Sequence, residues 1–145
     1  MSGVERLLIT AGLVALAVVV AVLIRRRRGA PPTQGRWPVP AQLDRHDFTA
    51  PDLPWLVVVF TSTACESCAQ ATAKASVLAS PAVRYQEVSY QERRDLHERY
   101  GIEVVPLTLL ADEEGVVRAS FVGVPPAGEL WAVVAEAREG GPISG

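Results

Sequence analysis

The sequence predicts an α/β domain, a mixed β-sheet flanked by helices, behind one N-terminal transmembrane helix. Three observations carry this. From Leu7 to Ile24 the chain has neither a charge nor a proline. From Trp55 to Phe60 it is wholly apolar, and an Ala-rich stretch without Gly or Pro then runs on to Leu78. The remainder switches between period-two and helical patterns, so the domain reads β-α-β-α-β-β-α. The boundaries that follow are residues 1–28 for the anchor with its arginine stop, 29–52 for a linker and connector, 53–139 for the domain and 140–145 for a tail.

As a helix, the eighteen residues from Leu7 to Ile24 span about 27 Å, close to the thickness of a hydrocarbon core. The run is longer than the apolar part of a signal peptide, and it ends in Arg25, Arg26, Arg27 and Arg28 instead of a small-residue cleavage site. It is therefore expected to stay in the lipid bilayer as a single-pass anchor. The four arginines lie after the span, against Arg6 and Glu5 before it. The positive-inside bias thus places the C-terminal domain on the cytoplasmic side, the extracytoplasmic side being the alternative. The stretch GAPPTQGRWPVP, from Gly29 to Pro40, reads as a semi-stiff extended spacer. Pro38 and Pro40 restrict any pairing by Trp37 to Val39 to a sheet edge. Asp44 to Phe48 has the composition of a short helical turn, packed by Leu43 and Phe48.

Five of the six residues from Trp55 to Phe60 are β-branched or aromatic, and none is polar. That is the composition of a strand covered on both faces. Thr61, Ser62 and Thr63 end it, and a helix is expected from Cys65 through Leu78, before the Ser80-Pro81 stop. Residues 83–88 alternate as a strand does. Gln91 to Tyr100 is read as a short polar helix with Leu96 and Tyr100 inward and His97 in solvent, capped by Gly101. Leu107 to Ala111 and Val116 to Val122 form a hairpin across Glu113-Glu114-Gly115, and Pro126 opens a last helix with Leu130, Val133, Val134 and Ala137 on one face.

The net charge of −2 conceals an asymmetry: from Arg36 onward nine basic residues face fifteen acidic ones. An acidic domain argues against nucleic acid as a partner. Two cysteines, Cys65 and Cys68, are present in all. Three residues apart, they close too small a loop to staple a fold. At a helix start their sulfurs can come within disulfide reach, and the first sits near unpaired N–H groups and the positive end of the helix dipole. A thiolate there is stabilised, its pKa falling below the free value of about 8.5. Glu66 opposes this, and Ser67 can offset it by donating a hydrogen bond. These features make Cys65 the expected nucleophile and Cys68 the resolving thiol of a dithiol–disulfide exchange. Two plainer readings compete: half of a zinc site, for which only His46 and His97 remain and without metal-like spacing, and a pair of inert thiols.

The strand–turn–CxxC–helix arrangement resembles the thioredoxin family. A second stretch is similar as well: Tyr100-Gly101-Ile102-Glu103-Val104-Val105-Pro106-Leu107-Thr108, followed by the hairpin and Gly123. The resemblance covers roughly residues 53–138. It implies a thioredoxin-like fold, here with a shortened N-terminal part because only a remnant of the family's full strand and helix before the CxxC strand fits, a Cys65–Cys68 disulfide, a cis-proline at Pro106 beside it, and a Val105 backbone that receives an extended substrate. The partners it implies are protein thiols and disulfides, and the expected anchor would bring those of membrane proteins within reach. No cofactor and no metal are implied, and no electron donor is indicated. The chain departs from the family where Ala64 replaces the tryptophan before the first cysteine, Glu66-Ser67 replace Gly-Pro, Val59 replaces a buried acid, and Glu87 replaces that acid's lysine partner. These departures sustain an alternative, a non-catalytic adaptor tethered to the membrane.

Overall fold

The structure is a computed structural model, and it describes residues 2–27 and 37–140. Helix α1, Gly3–Arg27, is the one described helix long and apolar enough to cross a membrane. Its one hydroxyl within the apolar run, on Thr10, donates back to the carbonyls of Arg6 and Leu7 at 3.0 and 2.9 Å. The polar group therefore demands no partner from outside the helix. Arg28 and most of the Pro/Gly spacer, residues 28–36, lie outside the described residues, as does the tail, 141–145.

The domain's strands are β1 (Trp55–Thr61), β2 (Val83–Ser89), β3 (Leu107–Ala111) and β4 (Val117–Val122), interleaved with α2 (Cys68–Ser76), α3 (Arg94–Arg99) and α4 (Ala127–Arg138). They form one sheet in the order β2-β1-β3-β4, with β1 parallel to β2 and both remaining pairings antiparallel. A parallel neighbour requires a crossover, and α2 supplies it. Leu56 through Phe60 have no exposed surface, which is why that run shows no polar alternation. Val57 and Val59 point to one side, joining Leu110 and Phe121 with Ala71 and Ala75 of α2 and Leu130, Val133, Val134 and Ala137 of α4. Leu56, Val58 and Phe60 point to the other, joining Leu107 and Leu109 with Leu96 of α3 and with Leu43 and Phe48 of the connector.

The structure corrects several expectations. Helix α2 begins at Cys68 and ends at Ser76, so Cys65 lies in the turn before it. The polar helix is shorter than the span Gln91 to Tyr100, because residues 90–92 form a turn. Trp37 to Val39 form no strand. The chain instead meets the sheet at Gln42, bridged to Val116, with Leu43 N–H donating to Gly115 O at 2.8 Å and Val117 N–H to Ala41 O at 3.0 Å.

This stitch closes the shortened N-terminal part. The expected turn is present as a 3-10 helix, Arg45–Asp47, with Asp44 Oδ1 accepting the His46 N–H at 2.9 Å. Arg45 is buried, and its guanidinium donates to the carbonyls of Asp112 at 2.7 Å and Leu53 at 2.9 Å. Burial pushes its pKa down from the ordinary arginine value, against the pull of Asp112 and Glu113. Asp112 caps the hairpin turn through the N–H groups of Glu114 and Val116 and pairs with Arg118. Tyr100 ties the same region from α3: its hydroxyl donates to Asp47 and accepts from the Asp44 N–H.

Two predictions follow from this packing. Gly115 has φ +80°, and a Cβ there would stand 1.9 Å from the Leu43 carbonyl oxygen. Neither a left-handed alanine nor that contact is tolerable without breaking the stitch, so Gly115→Ala is expected to cost more than about 2 kcal/mol in urea denaturation. Burial, aided by Glu87, pushes Tyr85 up to about 12, and burial with the Asp47 hydrogen bond does the same for Tyr100. Both values are raised on folding. The stability they contribute is thus fully present below pH 10 and lost as pH rises toward 12. Ultraviolet titration of tyrosinate, run beside alkaline unfolding, checks both the values and the window.

Candidate active site

Strand β1 delivers the chain to one end of the sheet, where Thr61 gives way to residues 62–67. The Cys65 N–H closes a turn onto Ser62 O at 3.1 Å, and the Ala64 N–H donates to Ser62 Oγ at 3.3 Å. Ser67 occupies the N-cap position, and its carbonyl accepts the Ala71 N–H at 3.3 Å. Its hydroxyl makes no cap bond and lies 3.8 Å from Cys65 Sγ, the contact through which Ser67 was expected to act. Glu66 points outward and is exposed.

Cys65 and Cys68 are joined in a disulfide with their Cα atoms 5.5 Å apart. The two sulfurs differ in environment. Cys68 is 4% exposed, on the sheet-facing side of α2 with Ala71 and Ala75, whereas Cys65 is only half-buried. Cys65 is thus the more accessible residue of the pair.

Strand register places the second stretch at the same end of the sheet. Leu107 pairs with Phe60, so Pro106, buried and preceded by a cis peptide bond from Val105, stands where β1 releases the cysteine turn. Gly123, following β4, donates its N–H to Pro106 O at 2.9 Å and holds this corner. The Val105 side chain packs partly into the core on the α3 face.

Val59 is fully buried, with Thr108 opposite it on β3 and Glu87 opposite it on β2. Glu87 is exposed, yet its carboxylate accepts a 2.8 Å hydrogen bond from the buried Thr61 hydroxyl. Thr108 is fully buried, and its hydroxyl has no hydrogen-bond partner among the described residues.

His97 corrects a further expectation. It is 3% exposed, not solvated. Its Nε2 lies 2.9 Å from the Val88 carbonyl, to which it donates, and its ring meets Phe60 and Tyr90 edge-on with centroids 5.1 and 5.4 Å away. The polar neighbours Arg93, Arg94 and Glu98 hid this. Adjacency to the inward Leu96 gave no signal, since Asp95, its other neighbour, is exposed. His46 is exposed in the connector. Among the described residues, no three His, Cys, Asp or Glu side chains gather as a metal site would require.

The residue missed altogether is Gln91, in the turn after β2. Its Oε1 accepts from the Thr63 N–H at 3.0 Å and the Ser89 hydroxyl at 3.2 Å, and its Nε2 donates to Ser62 Oγ at 3.2 Å. An exposed glutamine has no signature in a single sequence, and its partner turn lies nearly thirty positions away.

The shape of the domain has counterparts among solved structures. The germline-specific thioredoxin Deadhead of Drosophila melanogaster superposes with a TM-score of 0.52 at 23% identity, over 60% of this chain and 84% of the other. The chain carries a thioredoxin-like fold. Chloroplastic thioredoxin z matches with a TM-score of 0.52 at 19% identity, over 59% of this chain and 80% of its own. Thioredoxin-2 of a malaria parasite, described as a component of that parasite's protein secretion machinery, matches with a TM-score of 0.52 at 14% identity, over 57% and 82%. No protein-family model matches the sequence, and no curated protein does.

The unequal exposure of the two cysteines makes a direct prediction. After reduction, iodoacetamide should modify Cys65 about tenfold or more faster than Cys68 in the folded protein, and at comparable rates in urea. Peptide mass spectrometry of timed samples reads both rates.

Proposed function

We propose that this protein is a membrane-anchored thiol–disulfide oxidoreductase acting on protein thiols and disulfides. The observation that carries the reading is the joined pair Cys65–Cys68 at a sheet end, one sulfur approachable and the other covered. In the reducing direction, the Cys65 thiolate attacks one sulfur of a substrate disulfide and expels the other as a thiolate, which takes up a proton. Cys68 then loses its proton and attacks Cys65 Sγ, releasing the second substrate thiol and forming the Cys65–Cys68 disulfide. Two electrons pass to the substrate, and the reverse sequence oxidises a dithiol. Ser67, 3.8 Å from Cys65 Sγ, supports the thiolate by donating its hydroxyl hydrogen. The Val105 backbone, preceding Pro106, receives an extended substrate segment.

Helix α1 holds the domain at the bilayer, which raises the effective concentration of membrane-protein thiols. Charge asymmetry favours a cytoplasmic domain: four arginines follow the span, against Arg6 and Glu5 before it.

A second reading rests on Val59. Its fully buried side chain offers no acid or base to the covered Cys68, and a slow or absent resolving step would leave a tethered binding module. Trapping experiments separate the two. With Cys68→Ser, mixed disulfides through Cys65 should accumulate on membrane-protein substrates, and with Cys65→Ser none should, as read on non-reducing gels. Equal trapping by both variants would reverse or abolish the assigned roles. No trapping by either would leave the binding module.

A further inference from the structure

We propose that Gln91 is a positioning residue that sets the redox equilibrium of the cysteine pair by clamping the turn before Cys65. The inference rests on the exchange reading above. Its basis is the side-chain amide of Gln91, which spans from the β2 end to the β1 end and bonds at both. Oε1 takes the Thr63 N–H at 3.0 Å and the Ser89 hydroxyl at 3.2 Å, while Nε2 reaches Ser62 Oγ at 3.2 Å. Ser62 Oγ in turn accepts the Ala64 N–H, and the Cys65 N–H closes onto Ser62 O. The backbone below is pinned as well, by Tyr90 N–H donating to Thr61 O at 2.9 Å. Every residue between the end of β1 and Cys65 is thus bonded to the β2–α3 turn or to Ser62, which that turn holds.

Cys68 needs no such device, because it is buried on α2. Cys65 precedes the helix, so its position relative to Cys68 is set by Glu66 and Ser67 on one side and by the clamped turn on the other. A disulfide between two thiols is favoured in proportion to their effective concentration, and holding one partner in place raises that quantity without touching either sulfur. Loosening the turn should favour the dithiol. In the exchange with glutathione, dithiol plus oxidised glutathione gives the protein disulfide plus two reduced glutathiones, and the equilibrium constant reports this directly.

The variants are made in the full-length chain in detergent. Gln91→Leu removes all the clamp's bonds while keeping size. The equilibrium constant for disulfide formation is expected to fall about tenfold, which converts to a potential about 30 mV more positive. Gln91→Glu keeps the bonds: one carboxylate oxygen accepts from Thr63 and Ser89, and the other accepts from a rotated Ser62 hydroxyl. It should return the equilibrium constant to within about threefold of the parent. Ser62→Ala, removing one arm, should fall between. A merely structural glutamine would lower the urea midpoints of the oxidised and reduced forms equally and leave the potential where it was. An unchanged potential in Gln91→Leu, or a Gln91→Glu value matching Gln91→Leu, overturns the clamp. A parent chain with no glutathione equilibrium at all overturns the exchange reading itself, and the clamp with it.

Discussion

The burial of β1 on both faces is the constraint from which the rest of the domain follows. Five consecutive residues, Leu56 through Phe60, have no exposed surface. Burying such side chains contributes about 1.5–3 kcal/mol each, on the order of 10 kcal/mol gross for the strand. That is comparable to the whole net stability of a domain of this size. A strand so covered must be flanked by other strands and sandwiched by helices. Its C-terminal end then opens onto a single place, the turn that carries Cys65. The cysteine pair sits at the end of the most heavily buried element, which gives it a fixed floor.

The opposite end of the sheet solves a different problem. Without a full strand and helix ahead of β1, the hairpin between β3 and β4 would leave its turn uncovered. The connector covers it with little chain: a two-bond stitch between residues 41–43 and 115–117, a buried Arg45, and Asp112 drawing together the turn, Arg45 and Arg118. Arg45 is bonded chiefly to backbone carbonyls, so its charge is spread over dipoles instead of being balanced by one carboxylate. A glycine at position 115 is required for this closure, because the Leu43 carbonyl occupies the space of a side chain.

The elements with strong local signals were legible in the sequence: β1 from its unbroken apolar run, the hairpin from Glu113-Glu114-Gly115, α4 from its apolar face, and the cysteine pair from its spacing. What stayed hidden depends on long-range contacts. Cys65 reads as helical by composition, yet the turn bonds from Ser62 and Gln91 keep it out of α2. His97 reads as solvated beside two arginines, yet the pairing of β2 with β1 brings Val88 and Phe60 against it. The stitch at Gln42 needed knowledge of where the hairpin would lie. In each case a residue's own neighbours in sequence pointed one way, and a partner tens of positions distant decided otherwise.

The most direct test of the account is the thiol–disulfide equilibrium of the full-length chain in detergent, poised in defined thiol buffers and read by alkylating free thiols. The account predicts one reversible two-electron transition in which Cys65 and Cys68 change together, with a midpoint in the range of thiol–disulfide exchange proteins, about −270 to −120 mV. If both cysteines were alkylated at every poise, no redox couple would exist, and the central claim would be contradicted.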